Sequence, residues 1–182
     1  LPPEIGPPVA VTLITSMFLH GGLLHFGANM LFLWVFGDNI EDAMGHVRFL
    51  LFYLLCGVAG GLTEILLHRE STVPLIGASG AISGVMGAYL VLFPRGMVRV
   101  VTLLIIIPIF IRLPALIVIG FWFVLQALSG YASFGMDSVQ GGTAFFAHIG
   151  GFVAGVLLVW LFADSTSVRR QNALRRGRVG ST

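Results

Sequence analysis

The sequence predicts an all-α fold, a polytopic bundle of transmembrane helices. Three observations predict it. Of 182 residues, 57% are apolar and only 10% charged, against roughly 25% charged in a soluble domain. The apolar residues gather in five long runs, and the arginines fall almost entirely to one side of those runs. A chain of this length holds five or six spans of about 20 residues and leaves no room for a separate soluble domain.

The runs are span A, Leu23–Ile40; span B, Val47–Leu67; span C, Ser79–Phe93; span D, Leu113–Ser129; and span E, Thr143–Ala163. Each is expected to be helical, because every backbone polar group in hydrocarbon needs an internal partner and no alternating barrel pattern is present. If span A enters from outside, Arg48, Arg95, Arg99, Arg112 and the tail residues Arg169, Arg170, Arg175, Arg176 and Arg178 are cytoplasmic. Only Arg69 then lies outside, which is the distribution the positive-inside rule expects. The stretch Val98–Ile111 is rich in Val and Ile but short and interrupted by Pro108, so it reads as an interfacial or cytoplasmic connector. The domain plan is one transmembrane domain over residues 1–168 and a basic cytoplasmic tail over 169–182. An arginine cluster directly after the last apolar run points to lipid headgroups and not to nucleic acid.

Pro2, Pro3, Pro7 and Pro8 precede the first apolar run without a basic start and short apolar core, so no signal peptide is read. Cys56 is the single cysteine, inside span B, and is read as a small packing residue.

Span C carries the sharpest geometric clue. From Ser79 to Pro94 it rises only about 22 Å at about 1.5 Å per residue, against a hydrocarbon core of about 30 Å. With Pro94 and Arg95 at the inner surface, Ser79 lies below the outer one, where a hydroxyl needs a hydrated recess or a polar partner. His148 stands five residues into span E. A histidine there alone is as well explained by a bond to a neighbouring helix, and a serine among glycines by packing. Together they carry more. Gly80, Gly84 and Gly87 line span C, while Gly151 and Gly155 form a GxxxG face on span E, and such faces let two backbones approach closely. Gly151 and Gly155 follow His148 by three and seven residues, so the imidazole projects from nearly the same face. Packing of C on E brings His148 to Ser79 at matching depth.

A hydroxyl is a weak nucleophile until a base takes its proton, and a neutral imidazole suits that task near pH 7. The reaction implied is acyl transfer by a dyad. His25 and Asn29, at i and i+4 on the outer end of span A, are candidate oxyanion donors, although alone they read as partners of loop backbone groups. The backbone N–H of Ser79 is a further donor. No orienting carboxylate is found: Asp164 is about 24 Å from His148 along a helix, Asp137 lies in a loop, and Glu64 ends span B.

With GASG around Ser79, SGAISG after it, AHIGGFVAG around His148 and HFGAN holding His25 and Asn29, the chain resembles the rhomboid family from about Thr15 to Ala163. FLHGGLLH with His20 and GDNIEDAMG belong to the same likeness. The resemblance implies a rhomboid-like bundle in which the serine matching Ser79 attacks a peptide carbonyl and the histidine matching His148 is the base. It implies that His25 and Asn29 line the oxyanion hole. It further implies a multi-pass protein of the cell (inner) membrane, cytoplasmic at its C-terminus, that cleaves transmembrane segments of other proteins near the outer face. No metal or organic cofactor is implied. The family core has six spans against the five read here, which places the missing one upstream of Leu1.

The chain departs from the family pattern where Val11 and Thr12 stand near the place of a Trp-Arg pair, and where Ser83 replaces an aromatic residue that stacks on the catalytic histidine. By the same likeness the Gly130–Gly142 loop is expected to cap the site. Trp122 and Phe123 on span D read first as lipid-facing or core residues and second as a substrate gate. Two other readings compete: a non-catalytic rhomboid-like chaperone that binds clients without cutting them, and a transporter or proton channel built on histidines in the bundle. HExxH and a pair of intramembrane aspartates, the marks of other intramembrane proteases, are absent from the sequence.

Overall fold

The computed structural model describes residues 8–69, 73–104, 107–133 and 143–179. Helices dominate it, in the order α1 (Val9–Thr15), a 3₁₀ turn (Ser16–Phe18), α2 (Leu23–Met44), α3 (His46–Leu67), α4 (Ser79–Leu92), α5 (Ala115–Ser133), α6 (Phe145–Phe162) and α7 (Ser165–Val179). Between α4 and α5 lie strands β1 (Met97–Leu104) and β2 (Ile107–Pro114). Helices thus stand where the five apolar runs predict them, each boundary within four residues of the expected one. The chain is an integral-membrane helical bundle.

Length separates the helices. Among the described residues, α3, α5 and α6 are long and apolar enough to cross a bilayer singly. A bent pair, Ala10–Phe18 and Leu23–Met44 at 92°, adds a fourth crossing if it counts as one. At 14 residues, α4 rises about 21 Å and falls short of a full crossing. It survives in that setting because it is enclosed: nearly every side chain from Gly80 to Tyr89 is buried against α2, α3 and α6.

Small residues make the enclosure possible. A Cβ on Gly151 would lie 2.0 Å from the carbonyl oxygen of Gly80, and one on Gly155 would lie 2.0 Å from that of Gly84. A Cβ on Gly87 would meet Phe152 O at 2.5 Å. Backbone therefore touches backbone along the α4–α6 seam, the approach that lets helices associate in lipid without a hydrophobic drive. Cys56 is fully buried on α3 and faces Gly84, so it packs in the same seam. The α2–α3 corner needs Gly45, whose φ of +81° suits a residue without Cβ.

The connector expected at Val98–Ile111 is not a span and has a structure of its own. It is an antiparallel hairpin with Met97 opposite Pro114 and Arg99 opposite Arg112. Its Val and Ile content favours strand, and the alternation is visible: Val98 is buried while Met97, Arg99 and Val101 are exposed. Bonds from Ala115 N–H to Gly96 O (2.7 Å) and Leu116 N–H to Pro94 O (3.0 Å) close its base.

The basic tail expected from residue 169 is helical as far as Val179, and α7 begins before that boundary. Asp164 caps it, its Oδ2 accepting the Ser167 N–H at 2.7 Å. That bond holds the Asp164 carboxyl below the usual carboxylate range. Asp164 is therefore a helix cap and not a partner of His148. Arg175 reaches back to the bundle, its guanidinium 4.7 Å above the Phe93 ring and donating to Tyr89 Oη at 3.0 Å and to Asn39.

Candidate active site

Ser79 is the first residue of α4 and depends on what precedes it. Gly77 has φ +118°, in the region that favours glycine, and its N–H donates to Ser16 O at 2.9 Å. The 3₁₀ turn after α1 thus holds the approach to Ser79 in place. A methyl on Gly77 would sit 2.8 Å from His25 Nε2 and 3.8 Å from Ser79 Oγ, so both side chains flank the same glycine.

His148 lies in the first turn of α6. Its Nε2 stands 2.7 Å from Ser79 Oγ, across the seam made by Gly80, Gly84, Gly151 and Gly155. Its Nδ1 stands 2.8 Å from Oε1 of Gln126 on α5, an amide partner where a carboxylate is the expected orienting group. Trp122, one turn earlier on α5, brings its ring centroid to 6.0 Å from the imidazole at a tilt of 39°. An aromatic neighbour therefore reaches the histidine from α5. Ser83 is buried and spends its hydroxyl on the Ser79 carbonyl at 2.6 Å. Phe123 stacks on Phe152 at 4.4 Å, so Trp122 and Phe123 both bear on α6.

Ser79, His148, His25, Asn29, Gly77 and Trp122 line one open cavity of about 1220 Å³. Asn29 is buried and donates one amide hydrogen to His25 O at 2.8 Å, which leaves the other for a ligand. Nδ1 of His25 accepts the Gly21 N–H at 3.2 Å, so the proton of the neutral ring belongs on Nε2. His20 packs edge-on against His25, centroids 5.3 Å apart. Of the loop expected to cap the site, residues 134–142 lie outside the described residues, as does Asp137.

Glu64, at the end of span B in the sequence, has a structural partner in α6. The N-cap of α6, Ala144, makes no side-chain cap bond. Glu64 Oε2 supplies the missing acceptor from α3, taking the Ala147 N–H at 2.9 Å, while Oε1 pairs with His68 Nδ1 at 2.6 Å. A carboxylate at a helix N-terminus is favoured by the helix dipole. Here it fixes the residue next to His148. Glu64→Ala is expected to lower unfolding free energy in detergent by about 1.5–3 kcal/mol, the range for a hydrogen bond to a charged group. Glu64→Gln, which keeps an acceptor, should lose less, and equal midpoints for Ala and wild type would refute the cap.

Fold and site together describe a membrane helical bundle with a serine and a histidine in hydrogen-bond contact at a cavity. The chain matches the rhomboid domain over residues 8–165 and belongs to the rhomboid family. It is 32% identical over 169 residues to "Rhomboid protein 1, mitochondrial" of Saccharomyces cerevisiae, covering 91% of this chain and 45% of that protein. Over 78 residues it is 42% identical to "Rhomboid protease GluP" of Bacillus subtilis, covering 43% of this chain and 15% of the relative. Over 88 residues it is 34% identical to "Inactive rhomboid protein 1" of Drosophila melanogaster, covering 47% and 6%. The chain thus spans less than half the length of each of these relatives, and they include both a protease and a protein named inactive.

Proposed function

We propose that this chain is an intramembrane serine endopeptidase that cuts transmembrane segments of other membrane proteins near the outer face. The observation that carries the reading is the 2.7 Å contact of His148 Nε2 with Ser79 Oγ at an open cavity. Ser79 Oγ attacks the peptide carbonyl carbon as His148 Nε2 takes its proton, and the carbonyl oxygen becomes an oxyanion. The donors offered to it are the Ser79 N–H, His25 Nε2–H and the free amide hydrogen of Asn29. Collapse of the intermediate breaks the C–N bond, and His148 returns the proton to the leaving amine. Water, deprotonated in turn by His148, then releases the acyl group from Ser79. The arginine distribution supports a cytoplasmic C-terminus, and the cell (inner) membrane is the location proposed with it. The non-catalytic chaperone is the alternative, favoured by the likeness to an inactive relative.

Labelling of the purified full-length protein with a serine-directed fluorophosphonate decides between them. A covalent adduct on Ser79 is expected. A folded preparation in which Ser79 stays unmodified overturns the protease in favour of the chaperone.

A further inference from the structure

A neutral imidazole carries one proton on two nitrogens, so His148 is a base toward Ser79 only when that proton sits on Nδ1. Something must hold it there. Nδ1 lies 2.8 Å from Gln126 Oε1, and Nε2 lies 2.7 Å from Ser79 Oγ. An amide oxygen accepts and cannot donate, so the contact is Nδ1–H donating to Gln126, which leaves the Nε2 lone pair facing the serine.

The placement of Gln126 supports a dedicated role. From Ala115 to Leu128, α5 carries no polar side chain except Trp122 and Gln126, and a polar group in a membrane helix is costly unless partnered. These two are one turn apart and share a helix face. They meet His148 together, Gln126 at its Nδ1 edge and Trp122 beside its ring. An amide supplies the acceptor without placing a charge in a low-dielectric interior. A carboxylate supplies it too, at a cost that falls on folding stability and not on the tautomer of His148.

We propose that Gln126 is the positioning residue of the dyad, holding His148 in the Nδ1–H tautomer and in ring register with Ser79. The inference rests on the reading of Ser79 and His148 as the catalytic pair. The opposite amide rotamer would turn the NH₂ toward Nδ1, force the proton onto Nε2 and present Ser79 with a donor. The two rotamers therefore predict opposite chemistry. The tautomer of His148 resolves them directly, and an ionised glutamate at this position, which has acceptors only, reproduces the first rotamer.

The test measures the rate of fluorophosphonate labelling of Ser79 in the full-length protein, with unfolding midpoints taken alongside. Gln126→Leu is expected to slow labelling about 10- to 100-fold, as for loss of one hydrogen bond to a group that becomes charged in the reaction. Gln126→Glu is expected to stay within a few-fold of wild type. Leu equal to wild type, or Glu and Leu equally impaired at unchanged midpoints, overturns the proposal. Nitrogen NMR of histidine-labelled protein, at a pH where the ring is neutral, reads the tautomer without any turnover. Wild type should show a protonated Nδ1 and a bare Nε2, and Gln126→Leu should lose that preference; the reverse tautomer in wild type overturns the proposal. If wild-type Ser79 takes no label, the protease reading fails by itself, and the tautomer measurement still decides whether Gln126 holds the ring.

Discussion

Ser79→Ala and His148→Ala are each expected to bring cleavage of a transmembrane substrate to background, a loss of about 10⁴- to 10⁶-fold by comparison with soluble serine proteases. On the proposed mechanism the two residues act as one unit in proton transfer, so the double variant should be no worse than either single one. Folding should barely change in Ser79→Ala, which removes one neutral hydrogen bond at a cavity wall with a net worth of about 1 kcal/mol, whereas His148→Ala removes two, to Ser79 and to Gln126, and should cost about twice that. His25→Ala and Asn29→Ala should retain more activity, since removing one oxyanion donor costs about 3 to 4 kcal/mol in barrier. Initial rates on a reconstituted substrate check all four. Full turnover by Ser79→Ala would remove the serine from the mechanism, and ion or solute flux that survives its loss would favour a transporter.

The largest effect on stability is expected at the α4–α6 seam. In Gly155→Val the new Cβ would stand 2.0 Å from the Gly84 carbonyl oxygen, and Gly151→Val meets the Gly80 carbonyl at the same distance. Both obstacles are backbone, so no rotamer relieves them and the helices must part. Overpacking of a core usually costs about 1–3 kcal/mol. Here the loss should exceed that range, because parting the helices also uncovers α4, and labelling of Ser79 should disappear with it. Gly120→Ala is the control: nothing lies within 4 Å of its added Cβ, and replacing a helix-interior glycine should stabilise by about 0.5–1 kcal/mol. Unfolding by denaturing detergent, followed by circular dichroism, separates the two cases. A Gly155→Val protein as stable as wild type would show that the seam is not what holds α4.

Particular residues show how far the sequence could be read. Helix positions were legible because a bilayer imposes one demand on every span, and hydropathy with length registers it directly. The contact of Ser79 with His148 was legible for a second reason. Glycines at helical spacing mark the faces that meet, and His148 shares its face with Gly151 and Gly155. Gln126 was not legible as a partner of His148. A polar residue in an apolar helix announces that it needs a partner, but the partner depends on how α5 is rotated about its axis against α6. Glu64 is the same case, since its bond to Ala147 crosses from α3 to α6 over 83 positions of chain.

The amino-acid sequence by itself determined that this chain is a membrane helical bundle and brought one serine and one histidine forward together, because hydropathy, charge asymmetry and helical spacing are local properties. Only the tertiary structure decided that Val98–Ile111 pairs as a hairpin, that α7 docks through Arg175, and that Gln126 and Glu64 make their hydrogen bonds to His148 and to its neighbour Ala147. Those outcomes depend on helix rotation and on backbone pairing between distant segments, where many arrangements satisfy the same hydrophobic pattern and only close packing selects among them.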